Sequence, residues 1–273
     1  MKRTFMFVIC AILFTGYLCA QNFYVRIGVG GSAGTSNSLD MLYKYTEDET
    51  GRTIRIQPVD LGSGANGTIG FGFMPGKYVG FELAISKFLG FPNFGDSVVS
   101  MPGGTSATSK VKANGLNIIP SVVITAGLEK VNPYARFGLI VGVLPVMYHY
   151  FDADQPSVNP PNEVTAIQFY YGGVALGFNA TGGVNFQINK VVRMFAELNF
   201  IGMNFSPTDS ELIKYDINGV DQLPSMNTKQ KETIYVSKIN IDEQIPDTSP
   251  NKRLRKTYPL NSVGASLGVS FNF

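Results

Sequence analysis

The last fourteen residues, Leu260 to Phe273, constrain the fold more than any other stretch of the chain. From Val263 onward every second residue is apolar: Val263, Ala265, Leu267, Val269, Phe271 and Phe273. Between them stand Ser262, Gly264, Ser266, Gly268, Ser270 and Asn272, all small or polar. A period of two sends successive side chains to opposite sides of a strand, so this segment has one apolar and one polar face. A soluble sandwich would turn the apolar face inward. The eleven residues from Val263 to Phe273 are also about what a tilted strand needs to cross a bilayer, and the segment ends on an aromatic residue. It reads as the closing strand of a barrel whose apolar face meets lipid.

The other end of the chain points to the same surroundings. Lys2 and Arg3 precede an apolar run from Phe5 to Leu18, and Ala20-Gln21 offers a cleavage point, so residues 1–20 read as a secretory signal peptide. Both cysteines, Cys10 and Cys19, fall within it, which leaves the mature chain without disulfides or thiolate metal ligands. The remaining 253 residues suffice for one domain. Beyond residue 20 no apolar run is long enough for a membrane-spanning helix. A formal net charge of +2 gives no indication of a nucleic-acid partner. Thirty glycines, 20 Phe and 13 Tyr suit small lumen positions and aromatic girdles.

Seven further segments alternate in the same way: residues 22–31, 67–73, 78–86, 116–126, 133–144, 169–188 and 193–204. Within 116–126 the pattern is weak, because Ile119 and Val123 interrupt a polar face, and Pro120, with no ladder donor, marks a bulge or bend. Short turns at 74–77, 129–132 and 189–192 alternate with long connections at 34–64, 89–112, 145–166 and 205–258. Short turns on one side and long loops on the other define an even-stranded antiparallel barrel, here all-β with eight transmembrane strands. Closure also removes the sheet edges that would otherwise pair with other chains. A ten-stranded barrel is the rival, if 233–241 or the 39–61 hairpin joins the wall. Lys238, or Arg55 and Asp60, would then face lipid among few apolar residues, so these runs read better as extensions above the membrane.

The segments V-G-A-S-L-G-V-S-F-N-F at 263–273, N-P-Y-A-R-F-G at 132–138 and F-A-E-L-N-F at 195–200 carry a resemblance. The chain resembles, over its whole mature length, the small outer-membrane β-barrel domains of Gram-negative bacteria, of which the membrane part of outer-membrane protein A is the familiar member. That resemblance implies location in the outer membrane of a Gram-negative bacterium, among lipid and glycolipid. It also implies an insertion signal at Phe271 and Phe273, read by the barrel-insertion machinery. It implies no activity, because fold does not define function.

Chemistry, if any, would sit at few places. Arg26, Glu82, Arg136 and Glu197 face the lumen on the first, third, fifth and seventh strands at similar heights. In a lumen just wide enough for side chains they form a self-cancelling polar plug, or else a gate that passes ions. His149, the single histidine, lies in M-Y-H-Y-F at an outer rim where lipid-modifying barrel enzymes use His and Ser; an aromatic girdle of Tyr148, Tyr150 and Phe151 is the simpler reading. Asp152, Asp154 and Glu163 match three places of a calcium-loop template, but Pro156 and Ser157 occupy places that want a ligand and a glycine, so no metal or cofactor is expected. Lys252, Arg253, Arg255 and Lys256 form a basic cluster that could meet glycolipid phosphates or simply be solvated. The expectation is a non-enzymatic structural or surface-interaction protein whose loops carry specificity for an unknown surface ligand. The alternatives are a small diffusion pore and, after it, a lipid-modifying enzyme.

Overall fold

The computed structural model of the chain describes residues 23–35, 43–48, 51–56, 60–95, 106–155, 161–240, 242 and 244–273. The signal peptide expected at 1–20 lies outside them. In chain order, β1 (Phe23–Gly34) is followed by β2 (Tyr43–Asp48) and β3 (Gly51–Ile56), which pair only with each other. Next come β4 (Gly64–Phe73), β5 (Val79–Gly90), the short β6 (Asn93–Gly95), the long β7 (Ser106–Thr125) and β8 (Val131–Gly142). A hairpin of β9 (Val146–Gln155) and β10 (Asn162–Tyr171) precedes β11 (Ala175–Gln187) and β12 (Val192–Phe205). The last long connection holds β13 (Asp209–Ile217), β14 (Val220–Asp221), β15 (Glu232–Val236), β16 (Asn251–Leu254) and β17 (Tyr258–Pro259) before β18 (Ser262–Asn272).

Eight of these close into one antiparallel ring, β1-β4-β5-β7-β8-β11-β12-β18, and β18 pairs back with β1 from Tyr24↔Asn272 to Gly34↔Ser262. The ring therefore has no free edge, and ten strands do not form: β15 joins a sheet outside it, and β2 and β3 stay apart. Alternation sorts the side chains as the period of two requires. Leu139, Leu198 and Leu267 are 66%, 69% and 63% exposed, while Arg26, Glu82, Arg136 and Glu197 on the other face are buried. Apolar outside and charged inside inverts a soluble core and matches a wall surrounded by lipid. Among the described residues no helix is long and apolar enough to cross a membrane.

Strand β7 settles the segment with the weakest pattern. Its odd-numbered residues point inward throughout, so Ile119 and Val123 are apolar lumen residues and the facing never slips. Pro120 points outward, and the β7–β8 ladder skips it and Ile119. The register is nevertheless the same on both sides, Ile118↔Val141 and Ser121↔Gly138, so proline interrupts the pairing without inserting a bulge residue.

The stretches read as loops at 89–112, 145–166 and 205–258 carry much of the remaining sheet. Above the ring β7 parts from β8 and pairs with β9, and β10, β13, β15 and β16 follow in order, with β6 on the other side of β7. The expected single strand at 169–188 is thus two, β10 and β11. Gly172 and Gly173 separate them at φ of 72° and 70°, a left-handed conformation that glycine adopts without strain. One side of the barrel wall therefore continues beyond the ring, at the end away from the short turns. One apolar cluster, including Val111, Ile140, Met147, Tyr170, Phe205, Tyr235, Tyr258 and Leu260, joins this sheet to the upper lumen, and a smaller one of Ala107, Ala153 and Val164 lies farther out.

Candidate functional site

The lumen is divided into layers, and the charged quartet is the middle one. Arg26 Nε lies 3.0 Å from Glu82 Oε1, and Arg26 Nη1 donates to Glu197 Oε1. Arg136 Nη1 is 2.9 Å from the same Glu82 oxygen, and its Nη2 reaches both oxygens of Glu197 at 2.9 Å. The four side chains form a closed ring in which each carboxylate is shared by both guanidinium groups. All four are at least nine-tenths buried. Strand tilt did not separate them, because in a lumen of this width each charge, among the described residues, has only the opposite charges of the quartet within reach.

Three residues that the charge pattern did not single out complete the ring. The Tyr24 hydroxyl donates to Glu82 Oε2 at 2.8 Å, and the Tyr134 hydroxyl donates to Glu197 Oε1. The Arg26 guanidinium sits 5.0 Å from the centroid of the Phe195 ring, a cation–π arrangement. Each of the three stands two residues before a charge on its own strand, Tyr24–Arg26, Tyr134–Arg136 and Phe195–Glu197, so alternation already placed it on the lumen face. Ser266 donates to Glu197 Oε2 at 3.3 Å and accepts from Asn199 at 2.6 Å. Opposite Tyr24, on β4, Gly72 makes the space: a β-carbon there would lie 2.0 Å from the phenol ring.

Toward the long connections, above the ring, lies a narrow chamber of about 60 Å³, lined by Asn66, Ser86, Asn117, Asn199 and Ser262 among others. It has room for a few water molecules held by these polar groups. Leu61, Met203 and Leu260, which lie at or near its top, belong to the apolar cluster overhead. On the short-turn side the ring is the roof of a wider vestibule of about 740 Å³.

The remaining candidates are dispersed. Lys252 and Arg253 lie on β16, at the edge of the outer sheet, and Arg255 and Lys256 follow in the exposed link to β17. Phe271 pairs with Val25 at the lower end of β18, and the Phe273 amide donates to the Phe23 carbonyl at 2.8 Å, continuing the seam. His149 Nε2 is hydrogen-bonded to the Ser109 hydroxyl, a neighbour that sequence distance concealed. Burial holds this imidazole below its ordinary pKa, and among the described residues no carboxylate is hydrogen-bonded to it. Asp152, Asp154 and Glu163 are spread over the paired strands β9 and β10 rather than around a loop. Among the described residues no group of three His, Cys, Asp or Glu side chains is placed to hold a metal ion.

A closed ring of eight antiparallel strands, an apolar exposed band and a charged, filled interior define an outer-membrane β-barrel. No family model matches the chain, and no curated protein matches it in sequence. Among solved structures it is similar to Neisserial surface protein A, with 12% identity over 92% of this chain and 97% of that one and a TM-score of 0.37. It is similar also to Ail, the attachment invasion locus protein of Yersinia pestis, at 9% identity, 93% and 99% coverage and a TM-score of 0.34. A major outer membrane protein from Thermus thermophilus gives 12% identity, 92% and 99% coverage and a TM-score of 0.35. Overlays this loose carry no weight of their own, and the class rests on the register and facing described above.

Proposed function

We propose that this chain is a non-enzymatic outer-membrane anchor that presents an ordered extracellular sheet for surface interaction, its outer connections carrying the specificity. The observation that supports this reading is the contrast between the two halves. The lumen is filled by a charge-balanced ring and an apolar cluster, whereas the wall on one side extends into β9, β10, β13, β15 and β16. A filled lumen suits an anchor, and surface segments on a rigid scaffold suit recognition. Planar-bilayer recording tests it: the protein should give no steady conductance, and a stable open level would replace the anchor by a small diffusion pore. Mass spectra of outer-membrane glycolipid with and without the protein should be identical, and a missing or added acyl group would mean a lipid-modifying enzyme.

In the same reading Lys252, Arg253, Arg255 and Lys256 meet phosphates of the outer-leaflet glycolipid, since each basic residue near an anionic surface contributes about 1 kcal/mol. Phe271 and Phe273 serve as the signal for the barrel-insertion machinery, and residues 1–20 serve as the signal peptide that delivers the chain to it. Phe273→Ala should slow assembly in cells while leaving refolding in detergent unchanged.

A further inference from the structure

The vestibule below the charged ring has an imbalance that the ring does not. Within the ring two guanidinium groups and two carboxylates satisfy one another, so it presents no net charge to the space beneath it. The other charged groups lining that space are Lys77, Lys190 and Arg193 against the carboxylates of Glu129 and of the terminal Phe273, a surplus of one positive charge. Arg193 is the informative one. It stands on β12 below Phe195 and Glu197, on the same lumen face, between Gln187 of β11 and Ser270 of β18. Among the described residues no hydrogen bond or ion pair engages its side chain, and its Nε is shut off from solvent with no acceptor. The residue as a whole is half-buried, so its guanidinium borders the vestibule while Nε is withdrawn from solvent, and an unmet buried donor is uncommon enough to require an explanation.

We infer that this vestibule is a binding site for a small oxyanion, a phosphate or carboxylate group, held by Arg193, with Lys190 on the adjoining β11–β12 turn and Lys77 across the mouth adding positive charge. Three features support the assignment. The guanidinium fork matches the planar oxygens of a carboxylate or two oxygens of a phosphate. The amides of Asn185 and Gln187, also on the lining, supply neutral donors next to it. The wall is surrounded by lipid and closed at the roof, so the field of the surplus charge is concentrated in the cavity rather than screened by water on all sides. A volume of about 740 Å³ is more than inorganic phosphate fills, which leaves room for an organic anion carrying such a group. The site opens at the short-turn end, which is the periplasmic end in a barrel of this class. The inference is independent of what the outer sheet recognises.

The test is a titration of the refolded full barrel in neutral detergent at constant ionic strength, using inorganic phosphate, acetate and, as a charge control, tetramethylammonium. Calorimetry should show saturable binding of at least one oxyanion and none of the cation. Saturation by phosphate alone or by acetate alone identifies which group the site takes. Arg193→Gln should weaken that binding at least tenfold, whereas Lys214→Gln on β13 of the outer sheet, already paired with Asp216, should leave it unchanged. Without oxyanion, Arg193→Gln should unfold at the same or a higher urea concentration than the parent, because it removes an unmet buried donor. Should that variant fail to fold, the side-chain Nε–H resonance of Arg193 in the parent protein decides the matter by moving during the titration. No saturable binding, equal binding by the variant, a fixed Arg193 resonance, or adventitious binding that follows ionic strength alone would each overturn the assignment.

Discussion

Replacing Arg136 by Ala tests whether the ring is held together by charge compensation. The side chain makes three contacts at 2.9 Å, one to Glu82 and two to Glu197, and is almost wholly withdrawn from solvent. Its removal leaves two buried carboxylates facing one guanidinium, so the layer passes from neutral to one negative charge. Taking one partner from a buried ion pair costs about 3–5 kcal/mol. The loss here should lie near the lower bound, because Arg26 still touches both carboxylates and Tyr24 and Tyr134 still donate to them. About 3 kcal/mol is roughly a hundredfold in the unfolding equilibrium. Urea unfolding in lipid or detergent, read from the gel mobilities of the heat-modifiable folded and unfolded forms, resolves a change of that size. The double variant Arg136→Met with Glu82→Met restores neutrality around the remaining Arg26–Glu197 pair and should recover most of the loss. Conductance should stay absent in both, since the cluster containing Leu61, Met203 and Leu260 lies above the ring. A single-variant loss below about 1 kcal/mol, or a double variant less stable than the single one, would refute the compensation argument.

Other perturbations probe different parts of the wall and sheet. Gly72→Val should destabilise the barrel by more than about 1 kcal/mol, because the new β-carbon would lie 2.0 Å from the Tyr24 ring and force that phenol off Glu82; the same unfolding assay measures it. Leu198→Arg on the lipid face should cost about 2–4 kcal/mol if the site lies near the bilayer midplane, whereas Asn199→Ser on the opposite face should be mild in the same titration. His149 is held below its ordinary pKa by burial, so the unfolded chain takes up its proton first as pH falls. The stabilisation is complete above the unfolded value of about 6.5 and declines below it. Hydrogen exchange of β7 and β9 amides, corrected for its intrinsic pH dependence, should therefore show falling protection from about pH 7.5 to about pH 5, and His149→Gln should flatten that trend.

Alternation by itself makes the barrel legible in the sequence, because lipid outside and a filled lumen inside impose a period of two on every spanning strand. It assigned Phe137 and Leu139 to one face and Arg136 to the other, and it put Arg26, Glu82, Arg136 and Glu197 in one lumen. It also held through Pro120, where composition was ambiguous, since β7 keeps one register on either side of the proline. Above the ring the same rule lost its force. Strands β9, β10, β13 and β15 are flanked by water on one side and an irregular apolar cluster on the other, so their sequences mix polar and apolar residues without a clean period. Their order in the sheet depends on β7 leaving β8 for β9. That exchange between strands is set by which side chains pack in three dimensions and has no local signature. The Ser109–His149 contact joins residues 40 positions apart, and the unpaired Nε of Arg193 is defined by what its neighbours fail to provide. Spacing along a chain can show which face a side chain takes. Only the closed ring, with its fixed stagger between strands, decides which charge finds a partner and which is left facing the cavity.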